Sequence, residues 1–331
     1  MTERSHANSI LAVDLGGTKV AAALVSTEGA IRWRGQEPTC QTGPKDGIEQ
    51  IARLLRGLLD ESRVPIEDVL GIGIGIPAVL EPVTDRVIWG PNLPGWRDVP
   101  LKPTLEQQFG LPVCVEYDGH TAILGEWWQG AAKGYQSAAE VIIGTGIGGG
   151  LILDGRLIRG MNRLAGAAGW FVLTCDSAYP NGGQANGTRT AVGHWESLAA
   201  GPGIARRAQA LLDKHRGPCL LRRSRNLTAK DVFDADTDGD ALARRIIDET
   251  ADLVGYGVAN IVSLINPEIV ILGGGIGAQR GERLLPRVRE VVRRWAQPIS
   301  VSSLVIATSS LGADGGLLGA AYAVLNRIPT S

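Results

Sequence analysis

Short runs of glycine placed directly behind apolar segments constrain this chain more than any other feature. Of its 331 residues 45 are glycine, and they cluster instead of spreading as they would in a linker. Gly16-Gly17 follows the apolar run Ile10–Asp14, Gly144 to Gly149 follows Glu140–Ile143, and Gly273-Gly274-Gly275 follows Glu268–Leu272. Glycine allows positive φ and lets backbone N–H groups approach a ligand closely, so such runs point to ligand-facing turns at strand ends.

The pattern around these turns predicts an α/β chain. Ile10–Asp14, Val20–Ser26, Ile31–Gln36, Leu70–Ile76 and Val113–Tyr117 read as strands, with helices over Ile48–Leu59, Leu101–Phe109 and Thr121–Gln129. Near residue 132 the opening strand–turn–strand restarts, with Glu140–Ile143 and Gly150–Leu153. Residues 174–193 read as a polar surface loop. Helices follow from Glu196 to Ile265, broken by a loop near Asp234, then strand Glu268–Leu272, helix Arg283–Trp295, strand Val301–Ala307 and a last helix from Gly315. The expected organisation is two related lobes, 9–131 and 132–314, with the final helix, 315–328, packing back on the first. A cleft between such lobes is the default place for a ligand.

Composition narrows the function classes. Hydrophobic residues make up 44% and charged residues 20%, which is ordinary for a globular chain and not for disorder. A net charge of -1 leaves no basic excess for nucleic acid or an anionic membrane. Cys40, Cys114, Cys175 and Cys219 are scattered and form no CxxC, so no disulfide framework is expected. No stretch reaches the ~20 apolar residues of a membrane span, and the expected location is cytoplasmic.

Four segments carry candidate chemistry. In Asp14-Leu15-Gly16-Gly17-Thr18-Lys19 a carboxylate can reach Mg²⁺ or its water shell, and the turn offers donors to phosphate; a plain hairpin is the alternative. Gly144-Thr145-Gly146-Ile147-Gly148-Gly149 matches G-x-G-x-x-G, but a strand follows it where a dinucleotide fold needs a helix. It remains a candidate phosphate cradle, through backbone N–H groups and the Thr145 hydroxyl. Gly273-Gly274-Gly275 fits either a flat adenine–ribose surface or a loop entering a helix. Asp118 closes a strand and opens a helix, which suits a general base or an N-cap.

Together with Gly73-Ile74-Gly75-Ile76-Pro77, Pro91-Asn92-Leu93-Pro94-Gly95-Trp96 and Ile265-Asn266-Pro267-Glu268, these motifs resemble the ROK family of repressors and sugar kinases, in order and over nearly the whole chain. The resemblance implies the two-lobed actin-like/ribonuclease H-like ATPase fold and ATP-dependent phosphoryl transfer to a hydroxyl. It assigns Asp14, Gly16, Gly17, Thr18, Lys19, Thr145 and Gly146 to Mg²⁺ and phosphates, Gly274 and Gly275 to adenosine, Asn92 to acceptor hydroxyls and Asp118 to the acceptor's proton. Relatives' habits imply a homodimer. The family's repressors carry a helix-turn-helix ahead of the first strand; here eight residues precede Ser9, so that branch is not expected.

The sequence departs from the family on the acceptor side. Where relatives read A-G-E-x-G-H, with Glu and His on the sugar, this chain has Ala165-Gly166-Ala167-Ala168-Gly169-Trp170. The N-D-A-N segment becomes Tyr117-Asp118-Gly119-His120, while Glu196 matches an acidic sugar contact. Trp170 replaces a zinc-binding His, and of the cysteine cluster only Cys175 remains, with His194 where the last cysteine would fall; no zinc is expected. A site that loses hydrogen-bonding partners loses its discrimination among hydroxyls. The expectation is a kinase acting on an atypical acceptor, a C7-cyclitol of the valiolone type or an unusual sugar, contacted by Asn92, Tyr117 and Glu196, with Trp170 either filling space or stacking on the acceptor's ring. The rivals are a glucokinase-type hexose or N-acylhexosamine kinase and a non-catalytic nucleotide- or sugar-binding regulator.

Overall fold

Alternation along single strands divides the interior of this molecule into three layers. In Ser9–Leu15, Leu11, Val13 and Leu15 face one core while Ile10 and Ala12 face another. In Ile269–Gly273, Val270 and Leu272 face a third, and Ile269 and Ile271 return to the second. Each sheet is therefore buried on both faces, which explains strands that read as continuous apolar runs.

The computed structural model describes residues 8–90, 92–173, 184–185, 188–189 and 192–327. In chain order the elements are β1 Ser9–Leu15, β2 Lys19–Ser26, β3 Ile31–Pro38, α1 Pro44–Ser62, β4 Val69–Ile76, β5 Val79–Leu80, β6 Val87–Trp89, β7 Arg97–Val99, α2 Leu101–Phe109, β8 Val113–Tyr117 and α3 Asp118–Gln129. There follow β9 Ala138–Ile143, β10 Ile147–Leu153, β11 Arg156–Leu157, β12 Gln184–Ala185, β13 Thr188–Arg189, α4 His194–Ala199, α5 Gly201–Lys214, α6 Ala229–Thr237, α7 Ala241–Ile265, β14 Ile269–Gly273, α8 Gly274–Trp295, α9 Pro298–Ser302, β15 Val305–Thr308 and α10 Gly315–Leu325.

Two five-stranded sheets, in orders β3-β2-β1-β4-β8 and β11-β10-β9-β14-β15, each combine antiparallel hairpins with parallel strands. The middle layer between them holds α3 and α10, represented by Ile123, Leu124, Leu317 and Ala321. The last helix thus packs against the first sheet. The two helices cross so closely that a Cβ on Gly319 would stand 1.6 Å from the Thr121 carbonyl oxygen, and one on Gly125 would stand 2.1 Å from that of Gly315. Among the described residues no helix is long and apolar enough to cross a membrane.

The structure differs from the sequence expectations at four places. Asp234 lies inside α6, not in a loop; Thr228 and Asp231 cap that helix, and Asp234 pairs with Lys230 and Arg280, each at 2.6 Å, as a solvated helix face. Val301 belongs to α9, which starts on Pro298 under a Gln297 cap, and the strand begins only at Val305. Helix α8 starts at Gly274, nine positions before Arg283, because the glycine run is itself its first turn. β10 takes in Ile147, Gly148 and Gly149 ahead of the expected strand start at Gly150, so the second turn is only Gly144–Gly146. The segment 174–183, with Cys175, lies outside the described residues.

Candidate active site

The glycines of β10 explain how Asp118 is held. A Cβ on Gly150 would come within 2.3 Å of the Gly119 carbonyl oxygen, and one on Gly119 within 2.2 Å of that of Gly149. Only bare backbone lets the first turn of α3 rest on the strand, and that contact fixes Asp118, the first residue of the helix. Its carboxylate accepts from the Gly119 N–H at 2.8 Å. The N-cap position falls on Tyr117, so Asp118 is not the N-cap that the sequence also allowed but the first residue of the helix itself.

Asp118 keeps some exposed surface, yet the groups packed around it desolvate its carboxyl. Burial, reinforced by the negative charge of Asp14 and opposed by backbone hydrogen bonds, pushes its pKa up to about 7. Asp14, at the end of β1, is also raised, by burial against the favourable charges of Lys19 and Arg34. A Cβ on Gly316 would stand 2.9 Å from the Asp14 carboxyl carbon, so the N-terminus of α10 abuts that carboxylate. A helix N-terminus favours negative charge there.

The first glycine turn is tight: the Gly16 N–H donates to the Lys19 carbonyl at 2.9 Å. The Thr39 hydroxyl donates to the Gly16 carbonyl at 2.7 Å and the Gln41 amide to that of Gly17 at 3.1 Å, leaving Thr18 and Lys19 exposed. Asn92 covers this turn, with its Cβ 3.0 Å from where a Gly17 Cβ would be. The second turn closes through the Gly144 N–H and the Gly146 carbonyl at 2.9 Å, and Thr145 is exposed at its tip. Glu196, in α4, accepts from the Ile147 N–H at 2.8 Å, and a Gly146 Cβ would meet its Oε2 at 2.6 Å. Burial raises the Glu196 pKa against that hydrogen bond.

The third glycine run meets the second turn. A Cβ on Gly144 would lie 3.9 Å from the Gly275 nitrogen, while one on Gly275 would meet nothing within 4 Å. Gly274 has φ +74° and opens α8. The second turn and the N-terminus of α8 thus adjoin beside the open space over Gly275, an arrangement suited to phosphate.

Tyr117 spans the remaining gap. A Gly148 Cβ would stand 3.1 Å from its hydroxyl, and burial together with the charges of Asp118 and Glu196 raises its pKa strongly. Trp170 is different: it ends a short 3-10 turn, its backbone N–H donates to the Ala167 carbonyl at 3.3 Å, and its 58% exposure leaves the indole with no ring contact among the described residues, so it does not fill space in a core. His194 Nδ1 accepts from the Leu173 N–H at 3.2 Å. Among the described residues no three His, Cys, Asp or Glu side chains converge as a metal site.

The sequence reading passed over Glu116 and His120, both fully buried beside Asp118. His120 Nδ1 stands 3.5 Å from Glu116 Oε2, and its Nε2 lies 3.1 Å from the Ala165 carbonyl oxygen. Arg159 and Arg327 reach Glu116 at 2.7 and 2.8 Å. Burial would raise the Glu116 pKa, but its contacts with His120 and Arg159 outweigh it and hold it at about 2. A glutamate at i−4 from a histidine across a strand–helix junction is the signal that was available.

The family model described as the ROK family matches residues 10–327. A glucokinase of Halalkalibacterium halodurans is 34% identical over 317 residues, covering 94% of this chain and 93% of that protein. A glucokinase of Thermotoga maritima is 34% identical over 324 residues, covering 96% and 98%. Among solved structures, a ROK family glucokinase from Streptomyces griseus in complex with glucose and AMPPNP superposes with a TM-score of 0.78 at 31% identity, covering 95% of this chain and 98% of that one.

Proposed function

The chain belongs to the ROK family, and we propose that it is an ATP-dependent sugar kinase whose acceptor is a sugar or sugar-like polyol, with a C7-cyclitol of the valiolone type as the leading candidate. The observation that carries the kinase reading is Asp118, set at a helix N-terminus beside Asp14 with a pKa of about 7. A carboxylate so tuned takes a proton from a hydroxyl near neutral pH.

The residues present fit a nucleotide and its ion. Open space over Gly275 and the positive φ of Gly274 leave room for adenosine, and the turns around Gly16-Gly17-Thr18-Lys19 and Thr145-Gly146 present donors for phosphates. With no convergent protein ligand set among the described residues, Mg²⁺ would be held through the phosphates with Asp14 facing it. When bound, the ion supplies charge neutralisation on the phosphates. Asn92 and Glu196 orient the acceptor, and Asp118 receives its hydroxyl proton as the new O–P bond forms and the bond to ADP breaks.

Support for an atypical acceptor lies in Ala167 and Trp170, which bring a methyl and an exposed indole where relatives have Glu and His, and in Tyr117 beside the base. Glucose is the second reading, favoured by 34% identity to glucokinases across the whole chain. We expect two copies to pair through exposed Leu264, Trp295 and Ile299, which light scattering would check. The deciding experiment is ADP release with Mg²⁺ and ATP against hexoses, N-acylhexosamines and cyclitols. Turnover confined to a cyclitol or unusual sugar supports the first reading, and saturable use of glucose at sub-millimolar concentration replaces it with the second. ATP binding with silence across the panel overturns the kinase reading in favour of a nucleotide-binding regulator.

A further inference from the structure

A cavity bordering α3 lies at the other end of that helix from Asp118. It has a volume of about 600 Å³ and is walled by Trp127, Arg156, Arg159, Arg163, Tyr322 and Arg327. Trp127 is nine residues from Asp118, about 13 Å along the helix at ~1.5 Å per residue, so this is a separate space. Its walls come from both sheets' territories: α3 and α10 on one side, the β10–β11 turn and the segment after it on the other.

The charge of the walls is unbalanced. Asp85 is shared by Lys102 at 2.8 Å, Arg163 in direct contact, and Arg327 at 3.6 Å. Glu116 is shared by Arg159 and Arg327. Arg156 is exposed and has no partner among the described residues. Four arginines line the cavity, and behind them Lys102, Asp85 and Glu116 complete the cluster. Glu81, whose Oε2 accepts from the Val83 and Thr84 N–H groups, adds a third carboxylate whose charge acts on Arg163, so five cations meet three carboxylates. Arginines already oriented by carboxylates, with donors left over, suit the bidentate recognition of phosphate. Tyr322 adds an aromatic wall: it stacks on Trp128 at 5.2 Å and meets Trp127 edge-on at 5.9 Å. A cavity of this volume holds a ligand of nucleotide or sugar-phosphate size.

We propose that this cavity is a second binding site, distinct from the cleft at Asp118, for a phosphate monoester carried on a ring. The phosphate meets Arg156 and the Nη1 of Arg159, while Arg163, whose Nη1 and Nη2 already donate to Asp85 and the Pro82 carbonyl, adds its charge, and the ring lies toward Tyr322 and Trp127. The site also touches the cleft indirectly. Arg159 and Arg327, which line the cavity, hold Glu116, two positions before Asp118. The proposal stands on the cavity and does not depend on the kinase reading.

The test is calorimetric titration of the intact protein with glucose 6-phosphate, AMP and inorganic phosphate, repeated on Arg156→Glu and on Asn326→Asp. Asn326 also lines the cavity and, like Arg156, holds up no buried partner. The expected result is a dissociation constant below about 1 mM for glucose 6-phosphate or AMP, weakened at least tenfold in both variants, with ATP binding unchanged within twofold. The stronger of the two organic ligands distinguishes a sugar phosphate from a nucleotide as the source. Three results overturn the proposal: no organic phosphate bound in the wild type, binding indifferent to both substitutions, or inorganic phosphate bound as tightly as either ester. Since every arm reads binding, failure of the kinase reading leaves this outcome unaffected.

Discussion

In the proposed kinase site the donor side is made of backbone and the acceptor side of side chains. The positions proposed to face phosphates are glycines at turns and at the start of α8, where shape comes from φ values and missing Cβ atoms. Those proposed to face the acceptor are the exposed Asn92 together with Tyr117, Asp118 and Glu196, whose titration is shifted by burial and neighbouring groups. A backbone cradle takes any ligand with the right phosphates, whereas a side-chain pocket can be rewritten one residue at a time. That difference explains how this chain keeps every glycine of the donor motifs while carrying Ala167, Trp170 and Tyr117 on the acceptor side.

The sharpest way to break the comparison is Asp118→Asn. If the two sides act separately, kcat falls by roughly 10²–10⁴ while ATP binding stays intact. Calorimetry with a non-hydrolysable ATP analogue, beside an ADP-release assay, checks both halves; near-wild-type turnover would remove Asp118 from the role of base.

On the donor side Gly275→Ala is the matching probe. A Cβ there meets no protein atom within 4 Å, and alanine is about 1 kcal/mol better than glycine inside a helix. The melting temperature is therefore expected to hold or rise while ATP affinity drops about tenfold, ~1.4 kcal/mol. Unchanged affinity would show that the nucleotide does not lie on this glycine. Substitution at Gly274 would not separate the two effects, since its φ of +74° strains any side chain.

The pH dependence tests how the sides meet. Asp118 works deprotonated, so kcat should rise about tenfold per pH unit below a limb near 7 and level off above it. Asp14 contributes part of that elevation by charge repulsion. Residual activity of Asp14→Asn should accordingly show the limb at lower pH, and a limb that stays in place would leave burial as the sole cause.

Legibility in the sequence followed the same division. Glycine runs behind apolar segments marked the donor side, since few local structures need three adjacent residues without Cβ. Asp118 was visible as a carboxylate at a strand–helix boundary. Gly148 and Gly149 misled, because glycine that lets α3 rest on β10 looks the same in sequence as glycine in a turn. Asp234 misled for another reason: a polar run on a solvated helix face is composed like a loop, and only Lys230 four residues earlier and the distant Arg280 separate the two. The Glu116–Arg159–Arg327 network was invisible because its members lie 43 and 211 positions apart. Long-range ion pairs leave no periodic trace.

The smallest expected effect concerns Glu140, a carboxyl buried on the middle-layer face of β9. It is 4% exposed, its Oε2 has no partner among the described residues, and burial with the charge of Glu126 raises its pKa well above the usual range. A carboxyl raised in the folded state binds its proton more tightly there than in the unfolded chain. Folding stability is thus fully present below the ordinary carboxyl pKa and declines as pH rises toward the elevated one. Glu140→Gln keeps the shape and cannot ionise, so it should gain about 1–3 kcal/mol at alkaline pH and almost nothing near pH 4. Urea unfolding of both proteins at the two pH values measures the difference directly. Because Glu140 stands against Gly273, where a Cβ would come within 2.0 Å of its Oε1, the same variant also tests whether the donor cradle tolerates a change in the layer beneath it. A backbone-built cradle predicts an ATP affinity unchanged within twofold, and a larger loss would mean that a side chain on the neighbouring strand helps to shape it.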